Sequence, residues 1–252
     1  MKICFYTNLG LHRHVNEDAL LVDGQLIANT DLVLPTYLEM PLEEIKLVVA
    51  DGMGGHTKGD LASFLVLDYL RKQEIHSKKD LENNLQNAKM FLNEYVQEHP
   101  ETLNLGAVVS GVIILKKQFL IFNVGDARVY QFENHILKRI TKDHSVVEEL
   151  YSLGYITYEQ MRTHSKKHIV TSYISGDMQS KIPKIFITTL NKNENPYIFL
   201  ICSDGLWEML SDKEIQKSFL HYQNLQEIGK DLKQKAFAKG AYDNLSFIIV
   251  EV

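Results

Sequence analysis

The chain has 252 residues, of which 45% are hydrophobic and 23% are charged, and its formal net charge is −5. This length suits one domain with a sizeable core, and the acidic balance argues against non-specific nucleic-acid binding, which favours basic surfaces. No apolar run approaches the ~18 residues of a membrane span, so we expect no membrane association. Cys4 and Cys202 have no metal-site spacing and predict free thiols in a reducing cytoplasm.

The predicted elements mix strands and helices along the whole chain. Strand-like runs cover 3–7, 19–22, 46–50, 110–115, 119–123, 129–133, 184–189, 197–202 and 245–252. Helical periodicity covers 58–73, 80–99, 145–153 and 157–164, then a region after Ser211 and an amphipathic segment that starts at Leu225 and ends before Gly240. Short connections between neighbouring strands favour antiparallel hairpins. The pattern predicts an α+β fold with antiparallel sheets, in one domain over 1–252.

Aspartates adjoin four of the predicted core strands. Asp51, Asp126 and Asp204 follow such strands, and Asp243 precedes one. Each of them alone is more simply explained as part of a turn, since aspartate beside glycine or asparagine is a common turn signal. Carboxylates that converge in space repel one another unless a cation lies among them. The joint pattern therefore predicts a carboxylate-lined site for hard metal ions.

A polar segment, Arg13-His-Val-Asn-Glu-Asp18, precedes the strand-like run 19–22. Its adjacent carboxylates, Glu17 and Asp18, are a second source of metal ligands. Arg13 suits bidentate binding of a phosphate group. The alternative is an ordinary polar loop with a surface ion pair, which contributes little.

The order of the motifs resembles the metal-dependent protein serine/threonine phosphatases (PPM type, type 2C) in their bacterial form. The motifs are Arg13-His-Val-Asn-Glu-Asp18, Asp51-Gly-Met-Gly-Gly-His56, Val124-Gly-Asp-Ala-Arg128, Thr141-Lys-Asp-His-Ser145, Cys202-Ser-Asp-Gly-Leu-Trp207 and Asp243-Asn244. The resemblance covers nearly the whole chain. It implies a four-layer αββα sandwich, in which two central antiparallel β-sheets are flanked by pairs of antiparallel helices, with a flap subdomain over approximately 143–180.

The resemblance also implies roles for single residues. Asp51 would bridge two divalent ions, Mn²⁺ or Mg²⁺, and Gly52 would offer its carbonyl oxygen. The other implied ligands are Asp18, Asp204, Asp243 and, through water, Glu17. Asp126 would help to hold a third, weaker metal ion, and Arg13 would bind the phosphate group.

The implied reaction is hydrolysis of phosphoserine and phosphothreonine in proteins. A water or hydroxide that bridges the two metal ions would attack phosphorus directly, while Arg13 neutralises charge on the phosphate oxygens. No covalent phosphoenzyme is needed, and no cysteine lies in a phosphate-binding loop. The implied partners are phosphorylated proteins, including a Ser/Thr kinase in a signalling pathway, and we expect a cytoplasmic monomer that binds neither nucleic acid nor membrane.

The sequence departs from the family pattern in two places near the predicted site. Met53 stands where animal relatives often carry a histidine that is a proposed general acid. His164-Ser-Lys-Lys-His168 replaces the usual His-Pro-x-Arg-Asn of the flap, which leaves the substrate preference of the flap open. We expect a surface or indirect role for His56, core packing for Trp207, and a long hairpin connection without assigned role over 30–44.

Two other classes of function are consistent with parts of the sequence. A non-catalytic phosphoprotein-binding relative is one, although such proteins usually lack a metal aspartate and here Asp18, Asp51, Asp204 and Asp243 are all present. A calcium-stabilised structural domain is the other. It would give Arg13 no purpose, and the chain has no EF-hand spacing.

Overall fold

The computed structural model describes residues 1–53, 58–193 and 196–252, so His56 and its expected role lie outside the described residues. The strands in these ranges are β1 (Lys2–Asn8), β2 (Asp18–Val22), β3 (Gln25–Ile27), β4 (Thr36–Glu39), β5 (Ile45–Met53), β6 (Gly106–Ile114), β7 (Gln118–Val124), β8 (Arg128–Glu133), β9 (Ile136–Arg139), β10 (Ile174–Ser175), β11 (Phe186–Asn191), β12 (Ile198–Cys202) and β13 (Leu245–Glu251). The helices are α1 (Gly59–Lys72), α2 (Lys78–Glu98), α3 (Val146–Ser152), α4 (Tyr158–Met161), α5 (Asp204–Trp207), α6 (Asp212–His221) and α7 (Leu225–Ala238).

The strands form two antiparallel sheets. Within the described ranges, one sheet has the order β4-β1-β13-β12-β8-β9. The other has the order β11-β7-β6-β5-β2-β3, and β10 pairs with β6 beside that path. Because the connections between many neighbouring strands are too short for a parallel crossover, adjacent strands run in opposite directions, as the sequence predicts.

Three apolar clusters separate four layers of structure. The first joins α1 and α2 to the β5-containing sheet and includes Val66, Leu85 and Val109. The second lies between the two sheets, and the third joins the β13-containing sheet to α6 and α7. Each layer buries its apolar face against the next, which is the arrangement that amphipathic helices and two-sided sheets require. The predicted four-layer αββα sandwich is confirmed.

The helix boundaries follow local signals that the sequence carries. The side chains of Ser211 and Thr157 each accept a hydrogen bond from the backbone N–H three residues later. In both cases the side chain of that later residue accepts a hydrogen bond from the backbone N–H of the capping residue. These two capping boxes are confirmed. The helix predicted over 157–164 is shorter, since α4 ends at Met161 and Arg162 already lies at its C-cap.

Two strand predictions need correction. The stretch 30–44 is more than a connection, because β4 within it pairs with residues 2–5 of β1 as an edge strand. Its half-exposed side chains give little apolar signal, and only the pairing with β1 stabilises it. Asp51 does not follow its strand but lies inside β5, which continues to Met53 because β6 pairs with it over its full length.

Both cysteines are free and buried. Burial raises the pKa of the Cys4 thiol to about 12, which makes it a packing group and a poor nucleophile. Over residues 1–53, 58–193 and 196–252, none of the helices combines the length and the apolar character that crossing a membrane requires.

Candidate active site

Asp18 and Asp51 are direct partners across two neighbouring strands, β2 and β5. Asp18 is 1% exposed, and its Oδ2 accepts a hydrogen bond of 2.8 Å from the Ser203 hydroxyl. Its other oxygen, Oδ1, is buried and has no hydrogen-bond partner among the described residues. A buried carboxylate oxygen without a partner is costly, and a cation is the partner that would remove this cost.

Asp204 and Asp243 come to the same place from the other sheet. β12 and β13 are antiparallel neighbours, with Cys202 opposite Phe247, so the residues after β12 and those before β13 meet at one edge. Asp204 begins α5 there. Asp243 precedes β13, and its Oδ2 accepts a hydrogen bond of 2.6 Å from Nη2 of Arg13 in an ion pair. Asp204 and Asp243, which lie 186 and 225 residues after Asp18 in sequence, thus come close to it only through sheet pairing.

Asp126 reaches the site through a sharp turn after β7. Gly125 has φ +106, a conformation that favours glycine. A Cβ on Gly125 would also lie 2.2 Å from Cγ1 of Val108. The missing side chain therefore allows the turn, and Asp126, which is 6% exposed, enters the site from the end of β7.

These residues line one cleft of about 770 Å³ between the ends of the two sheets. The lining includes Arg13, Glu17, Asp51, Gly52, Met53, Asp126, His168, Asp204 and Asp243. Asp18 does not line the cleft and lies buried beside Asp51. We refer to Asp18, Asp51, Asp204 and Asp243 as the acidic cluster.

Burial and mutual repulsion dominate the electrostatics of the acidic cluster. Burial, followed by the charges of Asp18 and Asp204, raises the pKa of Asp51 well above its ordinary value. Burial, followed by the charges of Asp126 and Asp243, does the same to the pKa of Asp204. Burial raises the pKa of Asp18 to about 7, against two stabilising serine hydrogen bonds. The charged forms are unfavourable without compensation, and a divalent cation supplies it.

The donor set is the one that hard cations prefer, namely carboxylate and carbonyl oxygens. Among the described residues, no three His, Cys, Asp or Glu side chains are close enough together to hold a metal ion as they stand. One of the carboxylates, Asp243, is paired with Arg13. The chemistry of the donors and the partnerless Oδ1 of Asp18 nevertheless fit a divalent ion. These two observations are what make the acidic cluster a candidate cation site.

Glu17 and Gly52 form the junction between the acidic cluster and α1. The Gly52 N–H donates to the Glu17 carbonyl at 3.1 Å, and Glu17 Oε1 accepts from the Gly59 N–H at 3.2 Å. A Cβ on Gly52 would lie 1.8 Å from the Gly59 carbonyl oxygen. Only glycine fits there, so the position of this backbone beside Asp51 is fixed by close approach.

Asn244 has a structural role that the sequence did not reveal. Its Nδ2 donates to the carbonyls of Leu9 and Val15, at 3.1 and 2.9 Å. Its Oδ1 accepts from the Glu17 N–H at 2.9 Å. Asn244 thus fixes both ends of the loop that carries Arg13. The only signal in the sequence was its place beside Asp243.

Comparison with known proteins identifies the family. The family profile described as protein phosphatase 2C matches residues 41–237. The chain belongs to the protein phosphatase 2C family. It is 29% identical to the serine/threonine phosphatase stp of Listeria monocytogenes serotype 4b, over 98% of this chain and 94% of that protein. The crystal structure of serine/threonine phosphatase Stp1 from Staphylococcus aureus is 30% identical, with a TM-score of 0.80, over 99% of this chain and 94% of that one.

A more distant structure shares the fold. The catalytic domain of the serine threonine protein phosphatase PstP, described in complex with two manganese ions, is 23% identical with a TM-score of 0.76, and the match covers 99% of this chain and 98% of that one.

A second group of buried charges in this phosphatase 2C family member lies at the base of the flap segment, which we define as residues 143–180. Arg128 Nη2 lies 2.6 Å from Asp143 Oδ2, and Arg139 contacts both Asp143, at 3.2 Å, and Glu148, at 2.7 Å. We refer to Arg128, Asp143, Arg139 and Glu148 as the flap-base network. Here each carboxylate has an arginine partner from the chain itself.

Trp207 connects the flap-base network to Asp126 at the cleft. Its ring stacks under the Arg128 guanidinium at 3.6 Å, and its Nε1–H donates to the Asp126 carbonyl at 3.0 Å. At 5% exposure it is core, as predicted. Its two polar contacts were not predictable, because they depend on elements that are distant along the chain.

Proposed function

We propose that this chain is a metal-dependent protein serine/threonine phosphatase. The observation that carries the proposal is a cleft lined by buried, mutually repelling carboxylates with an arginine at its rim. Such a cleft binds divalent cations and, through them and Arg13, an anionic phosphate group. Family membership and the names of the relatives support the same reading.

We propose that two Mn²⁺ or Mg²⁺ ions bind at the acidic cluster. Asp51 would be the ligand that both ions share, because it lies opposite Asp18 across β2 and β5 and lines the same cleft as Asp204 and Asp243. Gly52, through its carbonyl, and Glu17, through water, complete the set. When bound, such ions activate a water molecule for attack and neutralise charge on the phosphate. A third, weaker site would involve Asp126, whose pKa burial raises to about 7.

Arg13 is the proposed phosphate-binding group of the chain. Its side chain is 49% exposed and uses one nitrogen, Nη2, for Asp243. A guanidinium has five N–H donors in a fixed fork, so several donors remain for equatorial phosphate oxygens. Arg13 would thereby orient the phosphate and stabilise charge in the transition state.

The proposed substrates are phosphorylated proteins, including a Ser/Thr kinase, and we propose a monomer acting in the cytoplasm. The cleft opens at the surface beside the flap segment, whose residues His168, Ile169 and Val170 line it. A phosphorylated side chain on a polypeptide can enter such an open cleft, and the flap segment is in position to contact the flanking peptide.

The test is hydrolysis of p-nitrophenyl phosphate and of a phosphothreonine peptide with Mn²⁺, and again with EDTA. We expect turnover of both substrates with Mn²⁺ only. Asp204→Asn should lower turnover by about 10³-fold and weaken Mn²⁺ binding in calorimetry. Asp23→Asn is the matched control, because Asp23 lies in an exposed turn with φ 49, which asparagine tolerates. Phosphopeptide binding without turnover under any divalent metal would contradict the proposal and favour a binding protein.

A further inference from the structure

One titratable residue of the cleft has no catalytic role in the proposed function. His168, from the flap segment, lines the cleft together with Asp51, Asp126 and Arg13. Among the described residues that line the cleft, it is the one with an imidazole group. We propose that His168 is the general acid that protonates the leaving oxygen of the substrate, and that Glu208 orients it. The inference rests on the proposed phosphatase function and deepens it.

The chemistry of the substrate requires such a group. The leaving group of phosphoserine or phosphothreonine is an alkoxide, which is a strong base and a poor leaving group unless it receives a proton as the P–O bond breaks. Arg13 does not release its proton near neutral pH, and the carboxylates of the acidic cluster are committed to cations. Imidazole is the side chain that gives and takes a proton most readily at neutral pH.

Glu208 is placed to orient the imidazole ring. It follows α5, and its N–H donates to the Asp204 carbonyl at 2.8 Å. Its side chain is 13% exposed, and Oε1 lies 3.3 Å from Nδ1 of His168, whereas Oε2 lies 3.0 Å from Nζ of Lys167. A carboxylate beside Nδ1 leaves Nε2 as the nitrogen that carries the exchangeable proton. His168 itself is 63% exposed and is open to substrate.

Backbone hydrogen bonds fix the chain on both sides of His168. The carbonyl of Ile169 accepts a hydrogen bond of 3.0 Å from the Val146 N–H. The N–H of Ile169 donates to the Lys166 carbonyl at 3.1 Å. The His144 N–H then donates to the Gly125 carbonyl at 2.8 Å, directly beside Asp126. These bonds set the position of the His168 backbone relative to the end of β7, which carries Asp126, although His168 belongs to the flap segment.

The proposed step balances in atoms and charge. The oxygen of a water molecule forms a bond to phosphorus, and the bond between phosphorus and the serine or threonine oxygen breaks. The leaving oxygen takes the Nε2 proton of the His168 imidazolium, and the attacking water loses a proton to solvent. The products are the free hydroxyl side chain, hydrogen phosphate and neutral His168, which recovers its proton from solvent.

The test compares leaving groups. His168→Asn, Glu208→Gln and the wild type are assayed with saturating Mn²⁺ on p-nitrophenyl phosphate, phenyl phosphate and a phosphothreonine peptide. Nitrophenolate leaves as a stabilised anion and needs little protonation, so His168→Asn should change its kcat/KM by no more than about twofold. The value for the peptide should fall about 10²-fold, which is the low end for general acid catalysis, and phenyl phosphate should lie between. Glu208→Gln should rank the three substrates in the same order, with a smaller loss of kcat/KM on the peptide of about tenfold.

The matched control is His135→Asn, the same replacement at an exposed turn with φ 65, which should leave all three substrates unchanged. An equal loss of His168→Asn on all three substrates would assign His168 to binding or positioning and overturn the inference. No loss on the peptide would overturn it as well. A wild type that is inactive on every substrate would overturn the proposed phosphatase function instead, so the two failures are distinguishable.

Discussion

The acidic cluster and the flap-base network are both buried groups of carboxylates, but they differ in what neutralises them. In the flap-base network, Arg128 and Arg139 contact the carboxylates at 2.6 to 3.2 Å. Among the residues that the structure describes, the half-exposed Arg13 is the one basic side chain that forms an ion pair with the acidic cluster. Burial and repulsion accordingly raise the pKa of Asp51 and of Asp204. The comparison separates carboxylates that arginines of the chain neutralise from those that we propose bind an external cation.

The largest expected effect comes from Asp204→Asn in the acidic cluster. Loss of this proposed metal ligand should remove several kcal/mol of transition-state stabilisation, so kcat/KM for p-nitrophenyl phosphate with Mn²⁺ should fall by about 10³-fold. In EDTA the same change relieves repulsion, and Tm should rise by roughly 2–4 °C for each kcal/mol gained. Thermal unfolding in EDTA measures this, and a fall in Tm would contradict the distinction between the two groups.

The same replacement in the flap-base network should have the opposite sign. Asp143→Asn removes the charge that Arg128 and Arg139 share, and breaking a buried pair costs about 3–5 kcal/mol. Urea denaturation in EDTA gives the free energy of unfolding. Asp204→Asn is the matched variant, since both are buried Asp→Asn changes. If Asp143→Asn were neutral or stabilising, the flap-base network would have no structural role.

The pH dependence of stability in the metal-free protein provides a smaller effect whose direction can be predicted. The pKa of Asp18 is raised from 3.8 to about 7 in the folded protein, so the folded state binds this proton more tightly than the unfolded state. The stability contributed by Asp18 is present below about pH 4 and is lost as the pH rises through about 7. Asp18→Asn has no such loss. Its Tm minus that of the wild type, in EDTA, should therefore increase between pH 5 and pH 7.5, and a constant difference would contradict the shift.

The smallest expected effect is that of Tyr158→Phe. The Tyr158 hydroxyl donates to Asp212 Oδ2 at 2.6 Å, and its loss should lower the free energy of unfolding by about 1 kcal/mol. Because this bond ties α4 to α6 and does not touch the acidic cluster, Mn²⁺ affinity in calorimetry should stay unchanged. A weakened Mn²⁺ affinity would show that the flap segment and the acidic cluster are coupled through this contact.

Much of the fold was predictable because its signals are local. Alternating and continuous apolar runs located β1, β5, β7 and β13, and the capping boxes at Thr157 and Ser211 located the starts of two helices. The edge strand β4 was not predictable, because its half-exposed residues acquire strand structure only by pairing with β1.

At the site, the sequence by itself determined which side chains are available: aspartates beside core strands, an arginine in a polar loop, and glycines where a Cβ does not fit. The tertiary structure alone decided that Asp18 lies opposite Asp51, that Asn244 fixes the Arg13 loop, and that Trp207 joins Arg128 to Asp126. It also brought His168 to the cleft. The physical reason is that residue type sets the chemistry of a group locally, whereas its charge state and partners depend on strand pairing and burial between residues distant along the chain.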